Sequence, residues 1–359
     1  MKIDGKHYRS IWLAEDGWSV HIFDQRQFPW ETKIVTLVSP DDAAQAISEM
    51  WTRGAPMIAM VGAYGFCLGL CQNASDDALA PLYQKLLNTR PTAVNLRWAL
   101  DKMVALVEPL APEARAEAAY KFAAALCEED VELNKAIGHN GLKIIKEISE
   151  KKNGETVNIL IHCNPGWLAT VDYGTATAPI YMAHDAGIKV NVWVDETRPR
   201  NQGALLTAYE MQQHGVAHKL ITDNAGGHYM QTGQVDMCIV GTDRVTANGD
   251  VCNKIGTYLK ALAAYDNDVP FYVALPYPTI DYTLNSGADI PIEERDDREV
   301  THMWGLDEDN KVREVKITLS SGANPGFDVT PARLVTAYIT DQGVWSDIVP
   351  QEQLQVKSA

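Results

Sequence analysis

The stretch from Val235 to Tyr258, VDMCIVGTDRVTANGDVCNKIGTY, passes from an apolar run straight into a polar cluster. Met237, Cys238, Ile239 and Val240 have the character of a short buried strand, and Gly241 ends it. Asp243, Arg244, Asn248, Asp250, Asn253 and Lys254 follow, ahead of an apolar periodic segment, Ile255 to Ala264, that suits a helix. In open α/β sheets, ligands gather beyond the carboxyl ends of strands, where helix N-termini favour anions. An acid, an amide and a lysine in such a place point to an anionic small molecule. For any one of these residues, a polar turn with an N-capping Asp is the plainer alternative. A carboxyl such as Asp243 in a partly dry crevice has its pKa raised and can hold a proton to donate. Pairing with Arg244 or capping of the next turn competes with that role.

Cys163 is the second candidate. It follows the apolar run Val157 to His162 and precedes Asn164, Pro165 and Gly166, a turn from which a helix could begin. A helix dipole would favour its thiolate, whereas apolar neighbours such as Trp167 favour the thiol. Nucleophile, acid/base and simple buried thiol all stay open. Asp195, Glu196, Arg198 and Arg200 crowd one loop and are expected to pair with one another. That leaves Gln202, just before Gly203, to hydrogen-bond a sugar hydroxyl. Asn253 and Lys254 are expected to open a helix and to suit phosphate or hydroxyl binding. His162 and His228 are placed beside the same crevice, a hydrogen-bonded structural histidine being the leading reading of each. Arg53 in TRGAPMIAMVGAYG and Arg90 in NTRPTAVNLRWAL each stand beside Gly or Pro just before an apolar helical pattern. Guanidinium and backbone N–H groups would there face one volume, a phosphate or hydroxyl site, unless these are ordinary helix starts.

These residues need elements to hold them. Residues 5–38 carry short apolar bursts with a turn at Asp16-Gly17, which predicts a small antiparallel sheet. From Ser39, an N-cap pattern opens a helical region running to about Ser149. Behind the charged stretch EISEKKNGE, apolar runs at Val157, Val190, His218, Met237 and Phe271 alternate with helical segments, which predicts a mainly parallel sheet of βαβ units. An acidic connection, Ile292 to Asn310, and a last helix near DVTPARLVTAYIT follow. The fold expected is thus α/β. A helical N-terminal domain with a small antiparallel sheet (1–150) precedes a Rossmann-like, mainly parallel domain (151–359). If the strands are parallel, Cys163, Asp195, Asp223, Asp243 and Leu275 emerge at one edge.

The chain has 359 residues, 46% hydrophobic and 22% charged, within the range of globular proteins. Its formal charge of −16 opposes non-specific binding to nucleic acid or anionic membranes, so an anionic ligand must meet a local cationic pocket. No stretch is read as approaching the roughly 20 apolar residues that cross a bilayer, no signal core opens the chain, and a cytoplasmic location is the default. The six cysteines show no CxxC pair or matched His spacing, so free thiols are expected and no metal site is suggested. Without a GxGxxG, a Walker GK[ST] or a GxSxG, no nucleotide cofactor or serine elbow is implied.

Several longer motifs carry a resemblance. RGAPMI (Arg53 to Ile58), TRPTAVNLRWAL (Thr89 to Leu100), HCNPGWLATVDYGTA (His162 to Ala176) and DETRPRNQGALLTAYE (Asp195 to Glu210) resemble the methylthioribose-1-phosphate isomerase family. So do GTDRVTANGDVCNKIGTY (Gly241 to Tyr258), IPIEERDDREVTH (Ile290 to His302) and NPGFDVTPARLVTAYIT (Asn324 to Thr340). The likeness runs in order along nearly the whole chain. It implies substrate-binding residues at Arg53, Gly54, Ala55, Arg90, Gln202, Asn253 and Lys254, a catalytic pair Cys163 and Asp243, no cofactor, a homodimer and a role in methionine salvage. The implied reaction turns an aldose 1-phosphate into the ketose 1-phosphate. Departures occur at Pro165-Gly166-Trp167, at Asp223 to His228 and at Gly326. They make Trp167 and His228 candidates for specificity, with 5-deoxyribose 1-phosphate an alternative sugar. The same family includes regulatory subunits of a translation-initiation exchange factor, which bind without catalysis, and archaeal ribose-1,5-bisphosphate isomerase. Both Cys163 and Asp243 are retained here, which favours an enzyme.

Overall fold

A computed structural model describes residues 1–91 and 93–353. Strands Ile11–Leu13, Val20–Phe23 and Ile34–Leu37 pair antiparallel, as their alternation predicts. Five helices follow: α1 (Pro40–Ser48), α2 (Ala55–Gln72), α3 (Asp76–Leu87), α4 (Val94–Val107) and α5 (Pro112–Lys151). Ser39 caps α1 by accepting from the N–H of Asp42. The uncharged helix α2 corrects the expectation about apolar stretches, since its 18 residues and mean hydropathy of 1.4 reach bilayer-spanning length. Its side chains are nonetheless buried almost throughout, packed against α1, α4 and α5 in the first hydrophobic core.

The principal sheet has seven strands in the order Gly343–Trp345, Ala337–Thr340, Phe271–Ala274, Met237–Val240, Val157–Ile161, Val190–Asp195, Ala217–Ile221. Every neighbouring pair is parallel except the first, which is antiparallel. The strands run Val/Ile-rich because both faces are covered, by a second and a third hydrophobic core. Chain order reverses between Val157–Ile161 and Met237–Val240, and at such a reversal the loops on the two sides diverge and leave a crevice. Cys163 lies two residues beyond the first of these strands and Asp243 three beyond the second.

Three sequence expectations are corrected here. Asn253 and Lys254 do not open a helix; they end strand Val251–Lys254, which pairs with Arg244–Thr246 and with Phe327–Thr330 in a separate four-stranded sheet. Asn248-Gly249 makes the turn between the first two, with Gly249 at φ 87°, and the helix begins only at Thr257. The expected last helix is strand, a 3₁₀ turn at Ala332–Leu334, and strand again, because Pro331 withholds an N–H and β-branched residues follow it. The acidic connection holds a short helix, Arg298–Thr301, and a hairpin of His302–Leu306 with Val312–Lys316.

Candidate active site

Cys163 occupies a left-handed backbone position, φ 65°, so it ends its strand by a sharp turn and not by leading into a helix. Only a 3₁₀ turn, Trp167–Ala169, comes next, which removes the expected helix dipole from the thiol. The turn is held from below: the Cys163 N–H donates to Thr197 Oγ1 (2.8 Å), and its carbonyl accepts from Thr207 Oγ1 (2.7 Å). Cys163 Sγ donates to Gln202 Oε1 at 3.4 Å, and both residues are buried. Burial pushes the thiol pKa up, while Arg53 and Lys254 pull it down.

Asp243 sits at the start of the extra sheet, its N–H donating to the carbonyl of Cys252 (3.0 Å), with part of its surface open. Its pKa is raised by burial against the opposing pull of Lys254, Arg53 and Arg90. Lys254 is lowered by burial, and Cys163 and Asp243 oppose that. These mutual influences put thiol, carboxyl, ammonium and guanidinium in one electrostatic neighbourhood. Lys254 Nζ donates to the carbonyl of Gly326 (2.8 Å) and lies 4.5 Å from the centre of the Phe327 ring. Asn253 is buried and donates to Thr257 Oγ1 at 3.0 Å.

Arg53 is buried and grips Asn164, one Nη donating to the side-chain oxygen and the other to the backbone carbonyl at 2.8 Å. Gly54 precedes α2 at φ 95°, where a Cβ would stand 2.5 Å from Ala169, and Ala55 is the first residue of the helix. Only glycine allows α2 to start so close to the Cys163 turn. Arg90 donates to Glu293 Oε2 at 3.1 Å and keeps its buried Nε without a partner among the described residues.

Arg53 and Gln202 form part of the wall of a cavity of about 640 Å³, to which Arg26, Arg200 and Arg298 also contribute. Cys163, Asp243 and Lys254 are not on that wall; Cys163 reaches it through its hydrogen bond to Gln202. The wall is of mixed charge: Glu49, Asp296, Glu299 and Glu314 line it too, and Arg26, Arg200 and Arg298 pair with Glu49, Glu299 and Glu314, whereas Arg53 is bonded to the neutral Asn164.

Other predicted residues fall elsewhere. Trp167 is 1% exposed and packs edge-on against Phe23 in the second core, so it is a wall of the fold and not of the cavity. His228 is exposed on helix Ala225–Gln231 with its ring against Tyr229, off the cavity wall. The charges of the Asp195 loop do not pair with one another. Asp195 contacts His162 (2.9 Å) and Lys260 (3.2 Å), whereas Arg200 pairs with Glu299 (2.8 Å). His162 is the structural histidine expected, its second nitrogen bonded to the carbonyl of Ile255 (2.9 Å). His162, Asp195 and Asp223 have metal-ligand spacing, but Lys260 already supplies the cation, and Asp223 accepts the N–H groups of Thr197 and Arg198.

Sequence reasoning missed Asn164, Glu210, Glu293, Arg295 and Glu299. Glu293, Arg295 and Glu299 link Arg90 to Arg200 through successive ion pairs. The alternating charges of EERDDRE were the available signal, and they were read as an acidic connection.

Residues 51–347 match the family model described as Initiation factor 2 subunit family. The methylthioribose-1-phosphate isomerase of Brucella anthropi is 61% identical over 96% of each chain. Among solved structures, the 5-methylthioribose 1-phosphate isomerase of Pyrococcus horikoshii OT3 is 38% identical, with a TM-score of 0.81 over 95% of this chain and 93% of that one. A chain from A. fulgidus described as translation initiation factor eIF-2B, subunit delta, is 34% identical with a TM-score of 0.77, covering 97% of both. On this evidence the chain belongs to the Initiation factor 2 subunit family, within its methylthioribose-1-phosphate isomerase group.

Proposed function

We propose that the protein is an aldose–ketose isomerase that converts 5-methylthioribose 1-phosphate into methylthioribulose 1-phosphate, a step of methionine salvage. The observation that carries this reading is the 61% identity over 96% of both chains with the Brucella anthropi isomerase. The chemistry of the crevice supports it. Arg53 and Lys254 hold the phosphate, with the spare donors of Arg90 beside them, and Gln202 and Asn253 meet sugar hydroxyls. A homodimer in the cytoplasm belongs to the same proposal.

A phosphate on the anomeric oxygen prevents ring opening by simple loss of a hemiacetal proton. Asp243, whose pKa burial raises, gives a proton to the ring oxygen. The bond from C1 to the ring oxygen breaks, and the cation at C1 is stabilised by the phosphate ester oxygen. Burial raises the Cys163 pKa and so disfavours its thiolate, the form that could trap this cation or act as a strong base at C2. In this proposal hydrogen passes from C2 to C1 with its electron pair, the C2 hydroxyl loses its proton, and that proton restores Asp243. A dry crevice protects the cation from water.

The test is ketose formation followed by NMR with methylthioribose 1-phosphate and, separately, 5-deoxyribose 1-phosphate, in H2O and in D2O. Turnover is expected without added cofactor, faster with the methylthio sugar, and with no solvent deuterium in the product. Asp243→Asn should lose at least about 100-fold in kcat/KM. Deuterium at C1 would replace the hydride route by an enolate one. Binding without turnover would make the protein a sugar-phosphate sensor.

A further inference from the structure

Glu210 is 1% exposed and takes no part in the chemistry above. It belongs to helix Ala208–His214, and every group that donates to its carboxylate lies elsewhere. Oε1 accepts from Asn164 Nδ2 (3.0 Å) and the N–H of Leu168 (3.1 Å); Oε2 accepts from the N–H of Trp167 (3.0 Å) and Tyr181 Oη (2.8 Å). Three of these four donors belong to the turn that begins at Cys163. Burying an anion with neutral donors and no ion-pair partner among the described residues is costly, and burial raises its pKa accordingly. Stability alone would favour an apolar side chain here.

The polarity of the contacts indicates what the carboxylate does. Thr207 Oγ1 donates its one proton to the carbonyl of Cys163, so toward Asn164 it can only accept. Glu210 Oε1 likewise only accepts. Together they require the NH2 end of the Asn164 amide, which turns its oxygen toward Arg53 Nη1, while the Asn164 backbone carbonyl takes Nη2. Were the amide reversed, its NH2 would face the guanidinium, two donors against each other, and Arg53 would keep only its bond to the Asn164 backbone carbonyl.

We propose that Glu210 is a positioning residue: it fixes the amide of Asn164, which in turn aims Arg53 at the substrate phosphate. The inference rests on the reading of Arg53 as a phosphate ligand. Glu210→Gln preserves volume but offers an NH2 to groups that are all donors except Tyr181, whose hydroxyl can rotate.

Steady-state kinetics with methylthioribose 1-phosphate, together with inorganic phosphate as a competitive inhibitor, tests the idea. Wild-type turnover is measured first, so a failure of the isomerase reading shows there and not in the variants. Glu210→Gln and Asn164→Ala should each raise KM and the phosphate inhibition constant by about tenfold or more, the scale of one lost charge-assisted hydrogen bond, with a smaller change in kcat. A purely structural Glu210 would lower Tm and leave both constants within about twofold, which would overturn the proposal. If Glu210→Gln does not fold, Asn164→Ala decides alone, since an unchanged KM there removes the relay.

Discussion

Burial drives Cys163, Asp243 and Lys254 toward their uncharged forms, each against the pull of the others. An active site of this kind costs stability, and at Asp243 the cost depends on pH. Its folded pKa stands above its ordinary value, so its contribution is fully present below about pH 3.8 and is lost as pH rises through the folded pKa. Asp243→Asn, which cannot ionise, should therefore melt at a higher temperature than the wild type at pH 8, and the gap should close toward pH 4. Equal melting temperatures at both pH values would contradict the raised pKa. The same proton makes kcat/KM fall as pH rises through that pKa. At this scale the sequence was partly legible. Asp243 and Cys163 stand out because each follows an apolar strand directly. Trp167 misled because a bulky residue beside a reactive one reads as a pocket wall, whereas its contacts with Phe23 come from an element some 140 positions away.

The loop after Val190–Asp195 brings Thr197 and Gln202 against Cys163 and does so with little room. Thr197 and Asn201 both have positive φ, 63° and 54°, and a Cβ on Gly203 would stand 1.7 Å from the carbonyl oxygen of Asp195. No backbone atom can yield that far without moving the strand end. Gly203→Ala should cost about 3 kcal/mol or more in chemical denaturation and lower kcat/KM together with stability, because Gln202 moves with it. A folded, fully active variant would show the loop to be softer than its geometry implies. The parallel strands were readable from apolar runs spaced by helices. The hairpin Arg244–Thr246 with Val251–Lys254 was overlooked because its polar face resembles a ligand loop, although Asn248-Gly249 was an available turn signal. The final strands were misread as a helix because ARLV has helical composition, and nothing local reveals that Ala337–Thr340 completes a distant sheet edge.

Across the whole molecule, the run of ion pairs Arg90–Glu293–Arg295–Glu299–Arg200 connects the approach to α4 with the loop that carries Gln202. Glu299 is its hub. Burial raises its pKa, but the hydrogen bonds and charge of Arg295, with Arg200, outweigh that and hold it at about 2. For a depressed carboxylate, the stabilisation is present above its ordinary pKa of 4.5 and is lost as pH falls toward 2. Glu299→Gln should cost roughly 3 kcal/mol at pH 7, with the penalty shrinking below pH 4.5, as urea titrations at two pH values would show. A penalty independent of pH would point to packing instead. Such long-range pairing cannot be read from one sequence, since the partners stand up to about 200 positions apart. The α/β class, in contrast, followed from periodicity alone.

Helix α5 spans 40 residues, and its two ends serve different interiors. Ala119, Ala123, Leu126, Cys127 and Val131 belong to the first core, Ile137 and Ile145 to the second. Its later turns also lie against the sheet edge formed by the last two strands. A single rod thus serves as a common spine, and melting either interior strips one side of it and exposes backbone that the other interior needs helical. The helical region and the sheet therefore share one reserve of stability, so damage far from the crevice, on either side of α5, reaches the alignment of Arg53 with Asp243.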